Sequence, residues 1–286
     1  MPSVSSATNK ISRLVRLWSL YARMDALWIT RDMKMFLTWS ISDTLFNIGG
    51  LLGMLLLAQR FAGIGAWTKV HVLFLLSYSA VCGGLLEMFF GFNVSHISRR
   101  IGRGQLDHLF VQPQPLWMAL ITEGFCPFSG FVVVAPGLCL MAWTLPRLGV
   151  HLTFTWFLAL LLNMAASTVI TLSFQFVWGS IAFWAPRAAE EINTSTSRLL
   201  HELRPFPLDG LGPALTAGLL GVLPSGFLGW VPSRVLTGLD TRPLSLWITP
   251  VAAIGFALIA VSVFQKGLTH YGRTGSQRYL PHGHRG

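Results

Sequence analysis

Few groups in this 286-residue chain could do chemistry. Three acids, Asp43, Glu87 and Glu123, stand in or beside long apolar runs. On insertion scales an acid at mid-bilayer costs about 2.5–3.5 kcal/mol, so it usually faces a cavity or a partner. Two readings stay open. The acids line a polar pathway or bind cations, or they sit near the interface and hydrogen-bond to neighbouring helices. A proton relay would need such groups at several depths, and the sequence does not supply them. Cys82, Cys126 and Cys139 lie in apolar runs without CxxC or Cys/His spacing, which reads as small buried hydrophobes rather than redox or metal chemistry. His282 and His284 alone make no metal site. The sequence has no GxxxxGK[ST], GxSxG or HExxH, and no GxGxxG after a strand. The chain is therefore read as no enzyme, and as holding no cofactor. GRGQ at 102–105 is a glycine pair in a loop, not a phosphate cradle.

The elements that position these groups are helices in lipid. Charged residues make up 11% of the chain, against roughly 25% in an ordinary soluble domain. Hydrophobic residues make up 52%, and the mean hydropathy is +0.57. Stretches 124–146, 148–186, 210–233 and 243–265 contain no Asp, Glu, Lys or Arg. About 20 apolar residues cross a hydrocarbon core of about 30 Å, so each is long enough. The expected fold is all-α and polytopic, with six transmembrane helices near 36–59, 70–93, 115–143, 153–183, 211–233 and 245–265. Pro127 and Pro136 predict a kink or break in the third. The fourth is long enough to tilt or protrude. LPSGFLGWVPS at 223–233 predicts broken or re-entrant helix on the side away from the cytosol, packed against protein because irregular backbone cannot face lipid.

Orientation follows from Lys and Arg. With the N-terminus inside, segments 1–35, 94–114, 184–210 and 266–286 hold six, three, three and four of them, and the outer loops hold five. This predicts both termini in the cytosol. It also accounts for the net charge of +10 by anionic lipid head groups rather than nucleic acid. No secretory signal peptide is expected. The chain divides into an N-terminal helix (1–35), a transmembrane domain (36–266) and a cytosolic tail (267–286) whose last residues are expected to be disordered. Residues 11–35 carry Ile11, Leu14, Val15, Trp18, Tyr21 and Ala22 at helical spacing, as an interfacial helix would; a plain start-transfer flank is the alternative. Residues 94–114 fit a short amphipathic helix broken near Gly102 and Gly104, or else a solvated basic loop. Residues 184–210 read as a second surface helix ended by Pro205 and Pro207.

Three stretches carry a resemblance. IGRGQLDHLFVQPQPLW (101–117), RPFPLDGL with LPSGFLGWVPSRVL (204–236) and FQKGLTHYGRTGS (264–276) resemble, in order and spacing, the permease subunits of type-2 ATP-binding-cassette (ABC) exporters. The closer likeness is to the compact branch with a separately encoded ATPase. Gln105 stands where that branch usually has Glu, which removes a charge from the docking segment. The resemblance implies a permease moving a substrate across the plasma (inner) membrane. It implies two cytosolic ATPase subunits that bind ATP and Mg, and a second permease, identical or related. It also implies that the loop near 94–112 is a coupling helix seated on the ATPase. In that picture Leu106 and Leu109 are apolar anchors, Asp107 and Arg103 polar partners, Gly104 the turn, Gln105 part of the docking face, and Arg99 and Arg100 pair with ATPase acids or lipid head groups. Pro224, Gly226 and Pro232 become candidates for an outer gate. Against it stand an ion-driven secondary carrier, which should show internal inverted repeats and mid-membrane polar groups, and a non-transporting scaffold.

Overall fold

The computed structural model describes residues 4–60, 66–95, 97–112 and 115–274, and in these the chain is built of helices without a strand element. Residues 275–286 of the predicted tail, with Gly275, Ser276, His282 and His284, lie outside the described residues, and 267–274 belong to the last helix. Among the described residues, four helical stretches are long and apolar enough to cross a membrane: Lys69–Gly91, Pro127–Arg147, Phe154–Phe183 and Pro243–Thr274.

Amphipathic α1 (Val4–Arg31) precedes α2 (Met33–Arg60) across a single turn at Asp32. The Asp32 carboxylate accepts the Met35 N–H at 3.2 Å, which caps the first turn of α2. The central helix is α3 (Lys69–Ser95), where Phe74, Leu75 and Tyr78 are fully buried. It packs along α7 (Pro127–Thr144) through small residues. A Cβ on Gly84 would lie 2.9 Å from the Val134 backbone, and one on Gly137 would lie 2.9 Å from the Val81 nitrogen. Without a hydrophobic force between helices in lipid, such close approach supplies the packing energy.

The third predicted span is divided. α6 (Leu116–Thr122) ends, the chain breaks over 123–126, and Pro127 starts α7 at a position where its missing N–H costs nothing. Pro136 sits inside α7 without ending it. The break meets a second one in α3, where Gly91 takes φ 54°. A Cβ on Gly124 would fall 1.8 Å from the Phe90 carbonyl oxygen, so only glycine permits this crossing.

The largest departure from the sequence reading concerns residues 211–233. The predicted span 211–233 is not one helix. It comprises α10 (Pro213–Gly221), a 3-10 turn at Pro224–Leu228 and α11 (Trp230–Leu236). At about 1.5 Å per residue, neither short helix reaches across a bilayer. The Ser167 hydroxyl, midway along α8 (Phe154–Gly179), donates to the Phe227 carbonyl at 2.9 Å. The Trp156 indole, at the start of α8, donates to the Leu236 carbonyl at 2.9 Å. The segment thus dips to mid-bundle and returns.

The helix predicted within 184–210 is α9 (Pro186–Leu203), and it packs along the bundle. Near its start Glu190 pairs with Arg99 at 2.6 Å. Leu200 packs with Ile170 and Phe174 of α8. The Arg204 carbonyl accepts the Ser79 hydroxyl of α3 at 3.3 Å. Asp209 accepts the indole N–H of Trp67, just before α3 begins. Residues 186–209 therefore run alongside the whole of α3. Finally α12 (Ile248–Thr274) extends past the predicted end of the sixth span.

Candidate coupling face and polar interior

The segment 97–112 folds as two short helices, α4 (Ile97–Gly102) and α5 (Leu106–Phe110). Gly104, at φ 69°, makes the turn between them, as its type predicts. The apolar residues face inward. Ile97, Ile101, Leu106 and Leu109 are 0–3% exposed and pack with Ala119, Leu120, Phe183, Ala189 and Tyr271. This corrects the anchor assignment: Leu106 and Leu109 cannot be offered to a partner, because burying them is what holds the segment on the membrane helices. The segment exposes Arg103, Gln105, His108, Phe110 and Val111, with Val111 at 82%.

Polar groups fix this knob to three other elements. The Tyr271 hydroxyl of α12 donates to the Asp107 carboxylate. Asp107 therefore has a tie within its own chain. Arg100 pairs with Glu123, at the end of α6, at 2.5 Å. Arg99 pairs with Glu190 of α9, and Asn193 donates to the Ser98 hydroxyl at 3.2 Å. Two of the sequence stretches thus meet in space. Gly267 belongs to the contact as well, since a Cβ there would fall 2.1 Å from the Phe183 ring. Beside Glu123 lies Tyr21 of α1, whose phenol is pushed up by burial and then by the Glu123 charge.

The three acids do not form one cluster. Glu123 is spent on Arg100. Asp43 accepts the Asn47 side-chain amide at 2.9 Å, one turn along α2. Glu87 has no hydrogen bond or ion pair from its carboxylate among the described residues. It lines a small polar cavity of about 150 Å³ between α3, α8 and α9, together with Thr171, Gln175, Ser197, His201 and Arg204. Gln175 Oε1 and Ser197 Oγ are buried without a protein partner. Glu87 also lines a second cavity, on the α1–α2 and α7 side.

At the other end, Pro224, Gly226 and Pro232 are buried in the re-entrant segment. A Cβ on Gly226 would meet Leu220 and Leu208 at 2.7 and 2.8 Å. Asp209 pins this segment: its Oδ2 accepts both the Trp67 and the Trp230 indole N–H, and its Oδ1 lies 3.3 Å from the Arg234 guanidinium. In the turn before α12 the backbone N–H of Arg242, then the Ser245 hydroxyl, hold the Asp240 carboxyl below its ordinary range.

Sequence reasoning missed two such residues, Asp209 and Asp25. The Asp25 carboxylate, 8% exposed, accepts the N–H groups of Phe128 and Ser129 at 2.8 and 3.1 Å and the Ser129 hydroxyl at 2.6 Å. It caps α7 from α1, where a negative charge also suits the helix dipole. Asp25→Ala should lower stability by about 2 kcal/mol, read as a lower melting temperature in detergent, since it leaves the buried Ser129 N–H and the part-buried Phe128 N–H without this acceptor. Asp25→Asn should recover part of that loss.

A bundle of long apolar helices with a folded knob at one end and a dipping segment at the other belongs to the class of multi-pass membrane permeases. The model of the ABC-2 family transporter protein matches residues 44–275, and the chain belongs to that family. It is the membrane permease component of an ABC transporter rather than the nucleotide-binding one. No curated protein and no solved structure matches it.

Proposed function

We propose that the chain is the permease subunit of an ATP-driven exporter, driven by separate ATPase subunits docked on the knob formed by α4 and α5. The observation that carries this reading is the triple attachment of the knob: Asp107 to α12, Arg100 to the end of α6, Arg99 to α9. A push on such a knob moves several membrane helices together. ATP bound and hydrolysed with Mg on the partner then shifts the bundle only if the ATPase binds one arrangement better than the other.

The crossings in this reading are α2, α3, the α6–α7 pair, α8, α9 and α12, with both termini cytosolic in the plasma membrane. The α10–α11 segment dips in from outside. α9 exposes Glu191, Ser195, Arg198, His201 and Glu202. Such a face does not belong against lipid tails, so it would turn to a water-filled path or a second permease. Glu87 lines the polar cavity beside α9 as well as the one toward α7, whereas Glu123 is paired with Arg100.

The test is to purify the chain with its membrane and identify what accompanies it. An ATPase subunit should co-purify, and Arg103→Glu with Val111→Asp should weaken that association by about tenfold or more, as loss of an exposed interface contact can. Unchanged melting of the double variant separates docking from folding. Transport that continues without ATP but collapses with the ion gradient would overturn the proposal in favour of a secondary carrier.

A further inference from the structure

We infer that the cavity between α1–α2, α3 and α7 binds an amphipathic organic cation; the inference names the substrate class of the proposed exporter and rests on that reading for its transport meaning. The cavity holds about 280 Å³, near the lower end of the roughly 300–1,000 Å³ typical of small-molecule sites. Its wall combines Trp28, Trp39, Met35 and Val133 with one carboxylate, that of Glu87. Two indoles and a thioether give an apolar, polarisable lining. Indole faces attract a cation through the ring quadrupole, and ammonium groups are the ligands such cages suit.

Charge decides the sign of the ligand. Glu87 is half-buried, and no cation of the protein lies within ion-pair distance of it among the described residues. Keeping an acid there is costly unless something positive meets it. Asp43 adds negative charge from α2, and Arg204 adds positive charge from the polar cavity toward α8 and α9, which Glu87 also lines, while the cavity at Trp28 and Trp39 has no cationic side chain in its wall among the described residues. The nearby start of α7 would repel a cation through its helix dipole, but Asp25 already caps it. Asp25 is itself satisfied by three bonds, so the free acceptor facing the cavity is Glu87. A lipid tail would fill the apolar part and leave Glu87 unanswered; an anion would be repelled.

The probe is radiolabelled benzyltrimethylammonium, bound to the full chain in nanodiscs of zwitterionic lipid. Its neutral carbon isostere, neopentylbenzene, serves as the competitor. Saturable binding of about one cation per chain is expected, with the isostere competing at least about tenfold less well. Glu87→Gln should weaken binding by about tenfold or more, and Trp39→Ala by about threefold to tenfold, each with the wild-type melting profile. Should Glu87→Gln not fold, Trp39→Ala alone carries the test. Equal competition by the isostere, or full affinity in the folded variants, overturns the cation site. The exporter reading fails separately: a chain that binds the cation but stimulates no ATPase in the reconstituted complex keeps the site and loses the transport role. A coupled complex that ignores the cation loses the site alone.

Discussion

Leu106→Arg is expected to unfold the α4–α5 end of the protein rather than detach a partner. Leu106 is fully buried, among Ile97, Ile101, Leu109, Phe183 and Tyr271. Removing it forfeits about 1.5–3 kcal/mol of burial. The guanidinium then enters a site already crowded with apolar groups, and an unpaired buried charge costs several kcal/mol more. Together these approach the roughly 5–15 kcal/mol that holds a folded domain together. The variant should give little detergent-stable protein. Val111→Arg is the matched control: at 82% exposure it adds the same charge to water and should melt as the wild type does. Wild-type melting of Leu106→Arg, with only partner association lost, would restore Leu106 as an exposed anchor and undo the packing described above.

How far the sequence could foresee this depends on which signal each residue leaves. Gly104 announces a turn by its type, and Pro127 announces a helix start. The proline and glycine run 223–233 announces irregular backbone, and the chain there does dip and return. Segments 101–117 and 264–276 are recognisable as stretches, yet nothing in their spacing says that Tyr271 reaches Asp107, which is 164 positions away. Leu106 and Leu109 look alike whether they face a partner or the chain's own interior, because an amphipathic stripe records that a face is covered, not by what.

α9 is legible as a helix ending before Pro205, but its packing against α8 is not. Hydropathy averages around the helix, and α9 buries only a narrow stripe of Ala189, Asn193 and Leu200. Its remaining surface mixes Glu191, Thr194, Ser195, Arg198 and Glu202 with exposed Ile192 and Leu199, so the average reads as a surface helix. The apolar stretch 211–233 scored as a span although its breaks leave no piece long enough. Hydropathy measures what a segment would gain in lipid; length and continuity decide whether it crosses.

Asp209→Ala should release the end of the bundle opposite α4 and α5. One carboxylate answers two indole N–H groups, from Trp67 before α3 and Trp230 in α11, and faces Arg234. Hydrogen bonds to a charged acceptor contribute about 1.5–3 kcal/mol each. The Arg234 pair adds less, since both side chains are partly exposed and the pair is screened. A loss of about 3–6 kcal/mol is therefore expected, without damage at the α4–α5 end. Hydrogen exchange should quicken over 223–236 while the amides of α4 and α5 keep their protection. Asp209→Asn keeps an acceptor oxygen for one or both indoles and loses only the charge, so it should fall between. In the complex, partner association should survive in Asp209→Ala while transport falls, because the re-entrant segment would no longer be held against α3. Uniform acceleration of exchange at both ends would mean that Asp209 supports the whole fold and not this segment.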